Sequence, residues 1–194
     1  MGPADNKRNH DNGSTHSKVT MLPYAPLLSL PKVSIMPTKP HKLLLLCTGN
    51  TCRSQMAHAM AYQWSQTNDL NLEIESRGIR ANLGDPTTPE ALLVLARASI
   101  NWHGTSQLLS AEDLLWADDV WGMTQEHLDF AASLGTELGV ELDQERAPNY
   151  QLLAATHELV DPLNAGLAAY EQLFCSLQEL LPNRLAAILK PSVA

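Results

Sequence analysis

Cys47 and Arg53 are separated by five residues in Cys47-Thr-Gly-Asn-Thr-Cys-Arg-Ser54. A loop of that length can wrap its backbone amides around a phosphate. Arg53 adds a planar guanidinium that grips two oxygens at once. Cys47 is placed at the bottom of such a cradle. There the amides and the guanidinium favour thiolate over thiol, so its pKa is expected to fall well below that of a free cysteine. The Ser54 hydroxyl can donate a further hydrogen bond to the sulfur. Thr48, Gly49, Asn50, Thr51 and Cys52 form the rest of the phosphate-binding loop. A thiolate held under a phosphorus atom is a nucleophile set for in-line attack.

The flanking segments say how the loop is held. Leu43 to Leu46 are an unbroken apolar run before it, which reads as a buried strand over 42–47. After it, Met56, Met60 and Trp64 recur at four-residue steps, which reads as a helix over 54–67. The octapeptide therefore lies where a strand hands over to a helix, with free amides and a helix N-terminus facing the ligand.

The rest of the chain alternates in the same way. Residues 72–76 alternate apolar and polar, a strand with one wetter face, and 77–86 form a loop. Thr88-Pro89-Glu90 opens a helix with Leu92, Leu95 and Ala96 on its stripe. Ser110 to Asp113 resembles a capping box before a short helix. Residues 118–123 read as a strand, 125–133 as a helix, 135–149 as loop and 150–154 as the last strand. A long helix follows over 166–189, with Leu167, Tyr170, Phe174, Leu177, Leu181 and, at its lower end, a kink or division at Pro182. Cys175 reads as core beside Phe174, and His58 and His127 as surface helix residues. Strands alternating with helices imply an α/β fold, a parallel sheet covered on both faces, with ligands at the carboxyl ends of its strands.

Composition bounds the function. The 194 residues suffice for one compact domain. A net charge of −8 without a basic patch argues against nucleic acid or an anionic membrane as partner. Three cysteines, few and odd in number, point to a reducing, cytoplasmic compartment. No apolar run is long enough to span a bilayer. Residues 1–40 read as a disordered or flexible extension, polar at first and then apolar but broken by Pro23, Pro26, Pro31, Pro37 and Pro40. Those prolines argue against a secretory signal, and Met36 is an alternative start.

The octapeptide in this setting resembles the active-site loop of the low-molecular-weight protein tyrosine phosphatase family, which includes bacterial protein arginine phosphatases. The resemblance covers residues 41–190. It implies a three-layer αβα fold of the phosphotyrosine protein phosphatase I type, with a four-stranded parallel sheet in order 2-1-3-4. It implies hydrolysis through a phosphocysteine at Cys47, with a phosphorylated protein as partner and the enzyme a monomer or weak dimer. No metal and no cofactor are expected, because Arg53 and the loop amides neutralise the charge.

Such chemistry needs a proton for the leaving atom. Two Asp-Pro pairs are available, Asp85-Pro86 and Asp161-Pro162. The family places its acid in an Asp-Pro pair shortly before the C-terminal helix, which selects Asp161 as acid and then base. Pro162 biases Asp161 toward extended backbone. In the family the loop asparagine, here Asn50, joins a network with a later histidine, and His103 resembles that position. Cys52 is a partner for a reversible disulfide with Cys47 under oxidant.

Substrate is read from two positions. Family phosphotyrosine enzymes tend to carry a bulky apolar residue where this chain has Thr51, and arginine phosphatases carry threonine. Threonine narrows the apolar wall and offers a hydroxyl, which suits a guanidinium better than a phenyl face. Leu163 stands where an aromatic platform is usual, which weakens the phosphotyrosine reading but does not itself favour phosphoarginine, since the arginine enzymes also tend to keep an aromatic there. Gln55-Met56-Ala57 resembles thioredoxin-linked arsenate reductases instead. Those enzymes need two relay cysteines after the third strand, and no cysteine lies between Met123 and Asp161. A phosphopeptide-binding module is the other alternative, and it would lack the nucleophile or the acid.

Overall fold

The computed structural model describes residues 39–137 and 147–189. The expected extension over residues 1–40 lies outside them, apart from its last two residues. The elements are β1 (His41–Cys47), α1 (Arg53–Thr67), β2 (Leu72–Gly78), α2 (Pro89–Arg97), α3 (Ala111–Trp116), β3 (Asp119–Gly122), α4 (Gln125–Glu137), β4 (Asn149–Leu152) and α5 (Leu167–Ile188). The four strands form one parallel sheet in the order β2-β1-β3-β4.

The leucine run of β1 explains why this strand is central. Successive side chains of a strand point to opposite faces. Leu43 and Leu45 enter one core with Met56 and Met60 of α1, Leu95 of α2 and Leu173, Leu177, Leu181 and Leu185 of α5. Leu44 and Leu46 enter a second core with Leu114 of α3, Val120 of β3 and Leu128 and Ala131 of α4. All four leucines are fully buried. Each contributes about 2 kcal/mol through burial alone. A strand covered on both faces reads as an unbroken apolar run, and this one does.

Several boundaries and faces differ from the sequence reading. β2 runs on to Gly78, because its register with β1 holds from His41↔Leu72 to Cys47↔Gly78. On α2 the buried residues are Ala91, Val94 and Leu95, while Ala96 is exposed. The helix is rotated by one position from the expected stripe. Ser110 and Asp113 do form a reciprocal capping box at the start of α3. α4 extends to Glu137, into the segment read as loop, and 138–146 lie outside the described residues. Pro182 sits inside α5 without dividing it. Cys175 is exposed, not core, because the α5 stripe passes through Leu173 and Leu177 on either side of it.

Candidate active site

Cys47 is the last residue of β1, and α1 begins at Arg53. The turn between them is held from several sides. Ile79 N–H donates to the Cys47 carbonyl at 3.0 Å and Arg80 N–H to the Thr48 carbonyl at 2.9 Å. Thr88 N–H donates to the Thr51 carbonyl at 3.0 Å. Gly78 is required by this approach: a Cβ there would lie 2.6 Å from the Thr48 carbonyl oxygen and 2.9 Å from Asn50 N. Asn50 takes a positive φ of 53°, the left-handed turn that lets the loop fold back on the sulfur. No side chain caps α1 and no acid stands in its first turn. The N-terminal amides of the helix thus keep their pull on an anion.

Cys47 Sγ receives a hydrogen bond from Asn50 N–H at 3.2 Å and lies 2.9 Å from Ser54 Oγ. Burial pushes the Cys47 thiol up; the Ser54 hydroxyl and amide, the Arg53 charge and the Asn50 amide pull it down and do not win. The lowered pKa expected from the loop is therefore not met. The cause is burial, which outweighs the hydrogen bonds and the Arg53 charge.

Arg53 Nη2 donates to Asp161 Oδ2 at 2.5 Å, and also to Thr48 Oγ1 at 3.1 Å. Nη1 donates to the Leu159 carbonyl at 3.2 Å, which fixes the plane of the guanidinium. Nε is buried and has no partner among the described residues. The Asp161-Pro162 segment is a turn in which Leu163 N–H donates to Asp161 Oδ1 at 3.1 Å. Asp161 is 43% exposed, whereas Arg53 is buried. The other pair, Asp85-Pro86, is an outer turn tied to Asn82 and Ser106.

The Asn50 side chain is fully engaged. Nδ2 donates to Ser54 Oγ at 2.8 Å and to Ser76 Oγ at 3.0 Å. Oδ1 accepts from Gln107 N–H at 2.8 Å and from Gln55 Nε2 at 3.3 Å. Gln55 in turn accepts from Trp102 Nε1 at 2.7 Å. His103 is exposed and outside this network. Its neighbour Trp102 joins the network instead, through Gln55. His58 lies behind Ser76, with Nδ1 3.3 Å from Ser76 Oγ. Burial lowers its pKa to about 4.

His127 is buried, not a surface residue. Its Nε2 lies 3.0 Å from Thr48 Oγ1. Burial first, and then the Arg53 charge, lower its pKa to about 4. Cys52 Sγ faces Tyr170 Oη at 3.3 Å and the hydroxyls of Thr51 and Thr88 at 3.6 Å. Cys47 and Cys52 are both free thiols. Thr88 occupies the N-cap position of α2, but its side chain caps nothing. The structure thus brings together Cys47, the loop, Arg53, Ser54 and Asp161. It leaves out His103, and it adds Gln55, Ser76, Trp102, His127 and Tyr170.

A model of the family described as low molecular weight phosphotyrosine protein phosphatase matches residues 42–193. The chain belongs to this family. A protein-arginine-phosphatase of Bacillus subtilis is 31% identical over 148 residues, 76% of this chain and 96% of that protein. The low molecular weight protein-tyrosine-phosphatase PtpB of Staphylococcus epidermidis is 28% identical, over 72% of this chain and 94% of that one. A solved structure of YwlE arginine phosphatase, a mutant with a phosphorylated active-site serine, superposes with a TM-score of 0.67 at 28% identity. It covers 78% of this chain and 97% of that one.

Proposed function

We propose that this chain is a cysteine-dependent protein phosphatase that prefers phosphoarginine over phosphotyrosine. The observation that carries the reading is the buried Arg53 guanidinium, whose charge acts on Cys47 and whose Nη2 donates to Asp161. The guanidinium Nε has no partner among the described residues, and the carboxylate on Nη2 is solvent-exposed. A phosphoryl group offers two oxygens for those two nitrogens. Asp161, displaced from Arg53, is then free for the leaving atom.

The steps follow from these positions. The Cys47 thiolate attacks phosphorus, and a sulfur–phosphorus bond forms as the bond to nitrogen or oxygen breaks. Asp161, displaced from Arg53, has taken up the proton that the Cys47 thiol lost, and it gives that proton to the departing atom. With Asp161 displaced, the Arg53 charge acts on the sulfur and the phosphoryl group. Asp161 next takes a proton from water, which attacks the phosphocysteine and releases inorganic phosphate and thiolate. Arg53 and the loop amides hold the charge throughout.

Thr51 supports phosphoarginine, since it presents a small, half-buried polar wall. Val160 and Leu163 flank Asp161 and are exposed at 85% and 51%. They offer aliphatic contact to a peptide and no aromatic platform for a phenyl ring. The phosphatase domain spans 41–190, with 1–40 as an extension. A phosphorylated protein is the partner, the compartment is cytoplasmic, and the enzyme works as a monomer or weak dimer. Among the described residues no helix is long and apolar enough to cross a membrane.

The test compares kcat/KM for phosphoarginine and phosphotyrosine peptides, with Cys47→Ser as blank. Phosphoarginine should be preferred, and Thr51→Ile should shift the preference toward phosphotyrosine. Preference for phosphotyrosine in the wild type would remove Thr51 as the selectivity residue. Turnover no greater than the blank on both would favour a phosphopeptide-binding module.

A further inference from the structure

We propose that the Thr48 hydroxyl donates a hydrogen bond to the phosphoryl group and that His127 is the positioning residue that aims it. The inference deepens the phosphatase reading and rests on it.

Two nitrogens, His127 Nε2 and Arg53 Nη2, meet at one oxygen, Thr48 Oγ1. His127 Nδ1 lies 3.0 Å from Thr124 N–H and 3.0 Å from the Thr124 hydroxyl. A backbone N–H can only donate, so Nδ1 is an acceptor and carries no proton. The neutral ring must then carry its proton on Nε2. Burial and the Arg53 charge keep the ring neutral, since they hold its pKa down to about 4. Nε2 lies 3.0 Å from Thr48 Oγ1, so His127 donates and Thr48 accepts. Arg53 Nη2 also can only donate, and it donates to the same oxygen at 3.1 Å.

A hydroxyl oxygen has two lone pairs and one proton. Both lone pairs of Thr48 are taken by donors. Its own proton has no acceptor among the described residues. Thr48 is only half-buried and follows Cys47 directly, so its hydroxyl belongs to the wall of the cradle. It shares Arg53 Nη2 with Asp161 Oδ2. A phosphoryl oxygen that replaces Asp161 on Arg53 therefore arrives beside a hydroxyl with a proton to give. His127 does not touch that oxygen. It acts by occupying the lone pair that would otherwise let the hydroxyl rotate. The pair joins the first residue of the loop to the first turn of α4, 79 positions away in sequence.

The test uses the full chain as wild type, Thr48→Val, Thr48→Ser, His127→Ala and the double variant Thr48→Val/His127→Ala. Two readouts are taken: kcat and KM on a phosphoarginine peptide and on an aryl phosphate, and calorimetric binding of inorganic phosphate. Thr48→Val should lower kcat and weaken phosphate binding by about ten- to a hundredfold, the span of a hydrogen bond to a charged group. Thr48→Ser keeps the hydroxyl and should recover all but about threefold of that loss. His127→Ala should cost activity in the wild type but less than about twofold in the Thr48→Val background, since both act through one oxygen. A purely structural histidine would give independent, multiplying losses, and that result would overturn its positioning role. Thr48→Val with unchanged kcat and phosphate affinity would overturn the whole proposal, and this arm decides even if His127→Ala fails to fold. Should the wild type turn over no faster than a Cys47→Ala blank, the phosphatase reading fails. The calorimetric loss in Thr48→Val still upholds or overturns the hydroxyl.

Discussion

Replacing Asp161 with asparagine should make the protein a worse catalyst and a better phosphate binder. Asp161 Oδ2 sits on Arg53 Nη2 at 2.5 Å, so an incoming phosphoryl group must first displace it. The aspartate is 43% exposed while Arg53 is 5% exposed. An ion pair wetted on one side is worth about 0.5–1 kcal/mol. Its removal frees the guanidinium and also removes the repulsion between Asp161 and a phosphate dianion. Together these terms tighten inorganic phosphate binding by at least about two- to fivefold. The same substitution removes the proton donor, and general acid catalysis contributes about 10²–10⁴-fold. The two effects have opposite signs, which few structural lesions imitate. Calorimetry with inorganic phosphate gives the first and steady-state kinetics on a phosphoarginine peptide the second. Weaker phosphate binding in Asp161→Asn, or a kcat within a factor of about two of wild type, would refute the assignment.

Three further outcomes follow from the packing and the buried charges. Gly104→Ala places a Cβ 2.0 Å from Gln55 Oε1 and 2.4 Å from Trp102 Nε1. It should cost about 1–3 kcal/mol in urea unfolding and slow turnover through Asn50, whereas no loss would dissociate Gln55 from the loop. His41 Nε2 lies 2.7 Å from Asp119 Oδ2, and that hydrogen bond raises its pKa. A raised pKa stabilises below the unfolded value and is lost as pH rises through the folded value. The stability difference between wild type and His41→Gln should therefore shrink from about pH 5.5 to about pH 8.5, and a difference that grows would contradict it. Leu177→Ala, in the α5 core stripe, should cost about 2–5 kcal/mol, and exposed Cys175→Ser should stay within about 0.5 kcal/mol; equal costs would show that the helix faces are misassigned.

How far the sequence reveals this molecule depends on how local each signal is. The central strand is legible because four adjacent leucines can be buried only between two helical layers. The cradle is legible because its parts lie within eight consecutive residues. The acid is legible only through family resemblance, since nothing local separates Asp161-Pro162 from Asp85-Pro86. His127 and Trp102 are not legible: their partners Thr48 and Gln55 lie 79 and 47 positions away. A lone histidine at a helix start reads as surface until the helix is docked. The signal available for His127 is its place three residues after Thr124, where its ring reaches back to that residue's amide. Cys175 fails for a smaller reason, since one step of helical phase separates it from the buried stripe. The Cys47 pKa fails because a motif shows the groups that attract a proton away, while burial is a property of the whole fold.

The central claim is that phosphate passes through Cys47. The direct measurement is to mix enzyme with a phosphoarginine peptide, quench within one turnover, and locate the phosphoryl group by mass spectrometry. The account predicts one phosphoryl group on the peptide carrying Cys47, and none on that peptide in Cys47→Ala. Continued turnover in Cys47→Ala, with no phosphoryl group on the protein, would contradict it.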